Sequence, residues 1–117
     1  MALKYATASV ETNKEKGSSI YESKETISSP GTGDDMLLPD QCGRFDTVLV
    51  MLSVSGGGTG KVQYTLSNRA QVIAGSAVWK DWDAGIVSSN TDDALYHVSA
   101  IRLVNTAGTT ILEARWI

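Results

Sequence analysis

Cysteine, histidine and aromatic residues are all scarce in this chain of 117 residues. It has one cysteine, one histidine and 7% aromatics. Cys42 alone cannot form an internal disulfide, which fits assembly in a reducing cytoplasm. His97 lies among Leu95, Tyr96 and Val98, with no partner at metal-ligand spacing and no Gly-x-Ser-x-Gly elbow beside it. It reads as a structural or surface residue. One histidine and one cysteine leave a zinc site only carboxylates, which structural zinc sites avoid. The acidic pairs Asp34-Asp35 and Asp92-Asp93 lack the spaced glycine and glutamate of an EF-hand loop. No catalytic residue, no metal and no cofactor is expected, and the chain reads as no enzyme.

Positive charge is also scarce. Ten Lys and Arg face thirteen Asp and Glu, a net charge of −3 with no basic stripe, so no nucleic acid is expected as a partner. The longest apolar run is far too short for a membrane span. The first residues, MALKYATASVETNK, lack the apolar core of a signal peptide. The expectation is a protein made in a cytoplasm, with no membrane association.

What the sequence does have is small and hydroxylated residues: thirteen serines, eleven threonines and eleven glycines. That is the composition of an all-β domain with many turns. Its centre is Phe45 to Ser67, FDTVLVMLSVSGGGTGKVQYTLS. Val48, Val50, Leu52 and Val54 fall on one face, Leu49 and Met51 on the other, the pattern of a central strand covered on both sides. Val62, Tyr64 and Leu66 alternate with Lys61, Gln63, Thr65 and Ser67, a half-buried strand. Between them, Ser55-Gly56-Gly57-Gly58-Thr59-Gly60 reads as a hairpin turn. SGGGTGKV imitates a phosphate-binding loop but fails at both ends. Ser55 stands at the first glycine position, Val62 stands where Ser or Thr must follow Lys61, and period-two alternation replaces the required helix.

Residues 1–44 form a polar N-terminal region, with the β-domain core at 45–117. Leu3, Tyr5 and Thr7 suit one face of a strand, and Asn13-Lys14-Glu15-Lys16-Gly17 suits a turn. The region reads as an edge hairpin protected by charge, or as an arm docking on another subunit. Residues 28–43, broken by Pro30, Gly31, Gly33, Pro39 and Gly43, read as one long loop. Its Met36, Leu37 and Leu38 either close one end of the core or plug into a neighbour.

Farther on, Val72 and Ile73 suggest a short strand within Asn68 to Ser76. Trp79 and Trp82 would face opposite sides at period two, so one points outward as an interface anchor, a sugar platform or plain packing. Ile101 and Leu103 alternate with Arg102, and Thr106-Ala107-Gly108-Thr109 reads as a hairpin turn. In the last strand Leu112, Ala114 and Trp116 share the core face. Seven to nine short strands without an amphipathic helix predict a single-domain antiparallel β-sandwich, jelly-roll-like, with the N-terminal arm or edge hairpin attached. The interface candidates are Met36, Leu37, Leu38, Trp79 and Trp82.

The segments VQYTLSN, SAVWKDWDAGIV and VSAIRLVNTAGTTILEARW resemble small accessory virion proteins of tailed bacteriophages, the decoration or cement proteins of capsids. The resemblance spans about residues 45–117 and transfers no functional residue. It implies a structural virion protein without catalysis, assembled in the host cytoplasm. It also implies that the chain binds the major capsid protein or another virion protein as a homo-oligomer, a dimer or trimer. Small phage tail and adaptor domains look similar. The IRLV…G…L-E strand pair is also similar to galactose-binding-type jelly rolls, which would imply a carbohydrate-binding module.

Overall fold

The computed structural model describes residues 2–13, 18–40, 42 and 45–117. The predicted turn at 13–17 lies, from Lys14 to Gly17, outside the described residues. The chain is all-β with one short helix among the described residues: β1 Leu3–Tyr5, β2 Thr7–Asn13, β3 Ser18–Ile27, β4 Gly31–Thr32, β5 Asp35–Leu37, β6 Thr47–Thr65, α1 Arg69–Ala74, β7 Lys80–Asp81, β8 Thr91–Tyr96 and β9 Ala100–Trp116. All nine strands belong to one sheet, nearly closed and barrel-like.

Two long strands carry the sheet. β6 and β9 pair antiparallel along nearly their whole length, from Val48↔Trp116 to Thr65↔Ala100. Every other strand attaches to one half of this ribbon. In the lower tier the order is β8-β6-β9-β3-β2, and in the upper tier β7-β6-β9-β5-β1, with β4 beside β9 near the middle. Backbone bonding along the sheet therefore runs through β6 and β9, whose alternating Val, Leu and Ile residues suit a pleated, half-buried surface.

The two glycine-rich stretches are not hairpin turns. Residues 55–60 lie inside β6 and residues 106–109 inside β9. They meet each other, where the register shifts between Ser55/Thr59 and again between Thr59/Gly60. Such bulges insert extra residues on one strand and bend both, as barrel corners require. Gly57 and Gly108 take the left-handed φ values of 73° and 60°. A Cβ on Gly58 would lie 2.4 Å from the Thr109 carbonyl oxygen, and one on Gly108 would lie 2.7 Å from Gly58 Cα. Only hydrogen fits there. Asn105, buried at the corner, donates to the carbonyls of Ser29 (2.9 Å) and Gly108 (2.8 Å) and accepts from Thr110 Oγ1 (3.0 Å). Those bonds give the Ser29 and Gly108 carbonyls a donor at the corner. The bulge also changes phase in β9: Ile101, Leu103 and Asn105 are buried before it, and Thr110, Leu112, Ala114 and Trp116 after it.

Bent at this corner, the ribbon brings the inner faces of its tiers into one core. Val48, Val50, Leu52, Leu112, Ala114 and Trp116 of the lower tier pack in the same cluster as Met36, Val62, Trp82, Ile101 and Leu103. Leu49 and Met51, expected to be covered, stand on the outer face and are 41% and 40% exposed. β6 is central by hydrogen bonding but buried on one side there.

The N-terminal region is part of the sheet. β3 pairs with β9 from Tyr21↔Trp116 to Ile27↔Thr110, and β2 is the edge strand of the hairpin. β1 runs parallel to β5, and Ala6 is buried in the core. The expected loop at 28–43 holds β4 and β5, and every residue of β5 is buried. The expected short strand at 68–76 is α1. Asn68 Oδ1 accepts from the Gln71 amide at 2.9 Å while Gln71 Oε1 accepts from the Asn68 amide at 3.1 Å, a reciprocal capping box. Gly75, at φ 77°, ends the helix.

Candidate functional site

The outer faces of the two tiers differ. On the upper tier, α1 and the segment after it form a cover. Leu37, Val72 and Ala100 are buried together, with Leu3, Ala77 and Trp79 packed against them. Beside this patch runs a polar chain. Lys61 Nζ and Gln63 Nε2 donate to Asp81 at 3.0 and 2.9 Å, and Arg102 Nε donates to Gln63 Oε1 at 2.8 Å. The Arg102 guanidinium lies 4.2 Å from the Trp79 ring centroid and 3.8 Å from Asp35 Oδ1. Asp35 is 2% exposed, and burial raises its pKa despite the nearby Arg102 charge. Burial lowers the Arg102 pKa, opposed by Asp35. The hydrogen bonds to Gln63 and Lys61 lower the Asp81 pKa. These side chains are engaged with one another from within the chain, although Asp35 Oδ1 accepts no hydrogen bond.

Among the described residues, the lower tier has no such cover. Strand register sets its outer face in two rows. Ala94, Leu49, Arg115, Glu22 and Thr7 lie side by side across β8, β6, β9, β3 and β2, and Asp92, Met51, Glu113 and Lys24 form the next row. Together they line a shallow groove of about 960 Å³. Its floor is Leu49 and Met51. Its β9–β3 side alternates in sign, Arg115 opposite Glu22 and Glu113 opposite Lys24. Opposite charges paired across strands favour this register by about 0.2–1 kcal/mol per pair. The groove offers apolar contact framed by charges of both signs. Among the described residues, no three His, Cys, Asp or Glu side chains gather as metal ligands.

The residues singled out from sequence lie elsewhere. Met36 and Leu37 are buried in β5, so they close the core and have no exposed surface to offer a neighbour. Leu38 is half-buried against the same core. Trp82 is 1% exposed and donates its indole N–H to the Gly85 carbonyl at 2.6 Å. Trp79 is the outward tryptophan of the pair, half-buried and stacked on Arg102. None of the five lines the groove. His97, at φ 58°, is exposed, with Nδ1 3.9 Å from Asp46. Lys61 is held by Asp81, and the residues after it continue a strand instead of opening a helix.

Leu49, Met51, Glu22, Lys24, Glu113 and Arg115 were missed because their significance depends on which strands are neighbours. The alternation in VLVML marks Leu49 and Met51 as sharing a face, and only the pairing shows that this face is uncovered. No protein family, curated protein or solved structure matches this chain.

Proposed function

We propose that this chain is a non-enzymatic assembly protein, acting as a decoration or cement protein of a tailed-phage capsid. The observation that carries the reading is the outer face of the lower tier. Leu49 and Met51, two large apolar side chains, are each about two-fifths exposed on β6 of a five-strand surface, with charges beside them on β9, β3 and β8. Large apolar side chains left exposed beside charges of both signs suit a protein contact. The sequence resemblance to capsid accessory proteins supplies the setting, with the major capsid protein or another virion protein as partner. The face-to-face packing of the two tiers supports a sandwich-like description of the nearly closed sheet.

The mechanism is linkage. A protein that binds the assembled shell better than its separate subunits stabilises the shell, and repeated copies make modest contacts sufficient. The carbohydrate-binding alternative is weakened by Trp79, whose ring is already stacked on Arg102. The test is to heat particles with and without the protein and follow genome release. Release at a higher temperature with the protein is expected, and equal temperatures would sink the cement role. A few copies per particle, located at the tail, would favour the adaptor alternative.

A further inference from the structure

We infer that the uncovered face of the lower tier pairs with the same face of a second copy of this chain, about a two-fold axis lying in the interface and perpendicular to the strands. The inference deepens the assembly reading and rests on it.

The argument is the pattern of the two rows. On β9, Arg115 stands in one row and Glu113 in the next. On β3, Glu22 stands beside Arg115 and Lys24 beside Glu113. The four charges make a checkerboard. A two-fold axis between the rows turns a second sheet over and exchanges its rows while keeping each strand above its own counterpart. Arg115 then meets the other copy's Glu113, Glu22 meets its Lys24, and Leu49 meets its Met51. Every charged residue of the checkerboard faces its opposite, and the two apolar residues face each other. An isologous interface demands such self-complementarity, because each contact is made twice. On β9 and β3 the face carries two charges of each sign, and Asp92 of β8, outside the checkerboard, would meet the other copy's Ala94.

Sheets packed face to face align within about 30° and sit about 10 Å apart. The Arg, Lys, Glu and Met side chains of each copy would fill the hollow of about 960 Å³ on the other. The upper tier, already covered by α1, is left free for other contacts. The dimer would thus bury the apolar strip and present two copies of its remaining surface, as bridging between capsid subunits requires.

The experiment is a charge exchange read by sedimentation velocity. The wild type is expected to be a dimer at about 100 µM, the range in which modest interfaces form. Arg115→Glu places two like-charged pairs in the dimer, and Glu113→Arg does the same with opposite sign. Each variant alone is expected to dissociate at least about tenfold more readily, since like charges set against each other are repulsive. Mixed together, they are expected to form a heterodimer. Position 115 of the Arg115→Glu chain is then negative and faces a positive position 113 on the Glu113→Arg chain, and the second such pair is also of opposite sign. Circular dichroism checks that each variant folds. If either does not, Lys24→Glu and Glu22→Lys make the same test on β3. A wild type that stays monomeric overturns the inference, as do single variants that dimerise like the wild type or a mixture that fails to pair. A monomeric wild type that still raises the genome-release temperature would overturn the two-fold pairing alone. A dimer without effect on shells would overturn the cement role alone.

Discussion

The corner where β6 and β9 bend makes a graded prediction about three glycines. Gly57 has a left-handed φ of 73°, but nothing lies within 4 Å of a Cβ built on it. Gly57→Ala therefore meets only the left-handed backbone cost, about 1–2 kcal/mol, partly offset by about 0.4–1 kcal/mol from a less flexible unfolded chain. Gly58 has no left-handed φ, yet its Cβ would stand 2.4 Å from the Thr109 carbonyl oxygen and 2.9 Å from that of Ser55. Both are backbone atoms of the paired residues Ser55 and Thr109, so neither can move without loosening the ribbon. Gly58→Ala should then cost about 2–3 kcal/mol, the upper part of the range for overpacking. Gly108 combines a φ of 60° with contacts of 2.7 and 2.8 Å to Gly58 backbone atoms. Gly108→Ala should cost about 3–4 kcal/mol, a large part of the roughly 5–15 kcal/mol that holds a domain together. Urea unfolding measures the series, provided the slope of free energy against denaturant stays constant. The expected order of loss is Gly57→Ala, then Gly58→Ala, then Gly108→Ala. A Gly58→Ala protein as stable as Gly57→Ala would refute the close approach and restore a free hairpin tip.

Other perturbations test the core, the corner and the buried carboxyl. Val50→Asp places an unpaired charge at a position that is 2% exposed, at a cost of several kcal/mol, and should abolish soluble folding. A soluble, cooperatively melting protein would count against β6 as the centre of the core. Asn105→Ala leaves the Ser29 and Gly108 carbonyls without their donor and should lower stability by about 2–3 kcal/mol in urea unfolding. An unchanged midpoint would mean the corner does not depend on that side chain. Burial raises the Asp35 pKa above the usual 3.8, so the folded chain holds that proton more tightly than the unfolded chain does. Stability from this group is therefore greatest below 3.8 and declines as pH rises through the folded value. Asp35→Asn should remove that decline, so that the stability of wild type relative to variant falls with rising pH. A relative stability that rises with pH would show that attraction to Arg102 outweighs burial.

The sequence by itself determined the all-β class and most of the inner face, but not the single, nearly closed sheet with its parallel β1–β5 pair. Period-two alternation places Val48, Val50, Leu52, Leu112, Ala114 and Trp116 inward, and each is buried, because one pleated face must meet the core whatever its neighbours are. The odd spacing of Trp79 and Trp82 correctly separates them to opposite faces. The capping box of Asn68 and Gln71, with Gly75 at the far end, was legible as a helix of one turn or more but was obscured by the β-branched Val72 and Ile73. Only the tertiary structure decided the rest. Glycine runs at 55–60 and 106–109 have the same local chemistry whether they reverse a chain or bend a strand. Their mutual pairing, a contact between distant parts of the chain, selects the bend. Burial of Met36 and Leu37 depends in the same way on β5 finding a place between β1 and β9. The candidate site is the most dependent of all. Glu22, Lys24, Leu49, Met51, Glu113 and Arg115 come from three separate strands, and nothing local to any one of them specifies the register that sets their charges in a checkerboard or the helix that covers the other tier and leaves theirs bare.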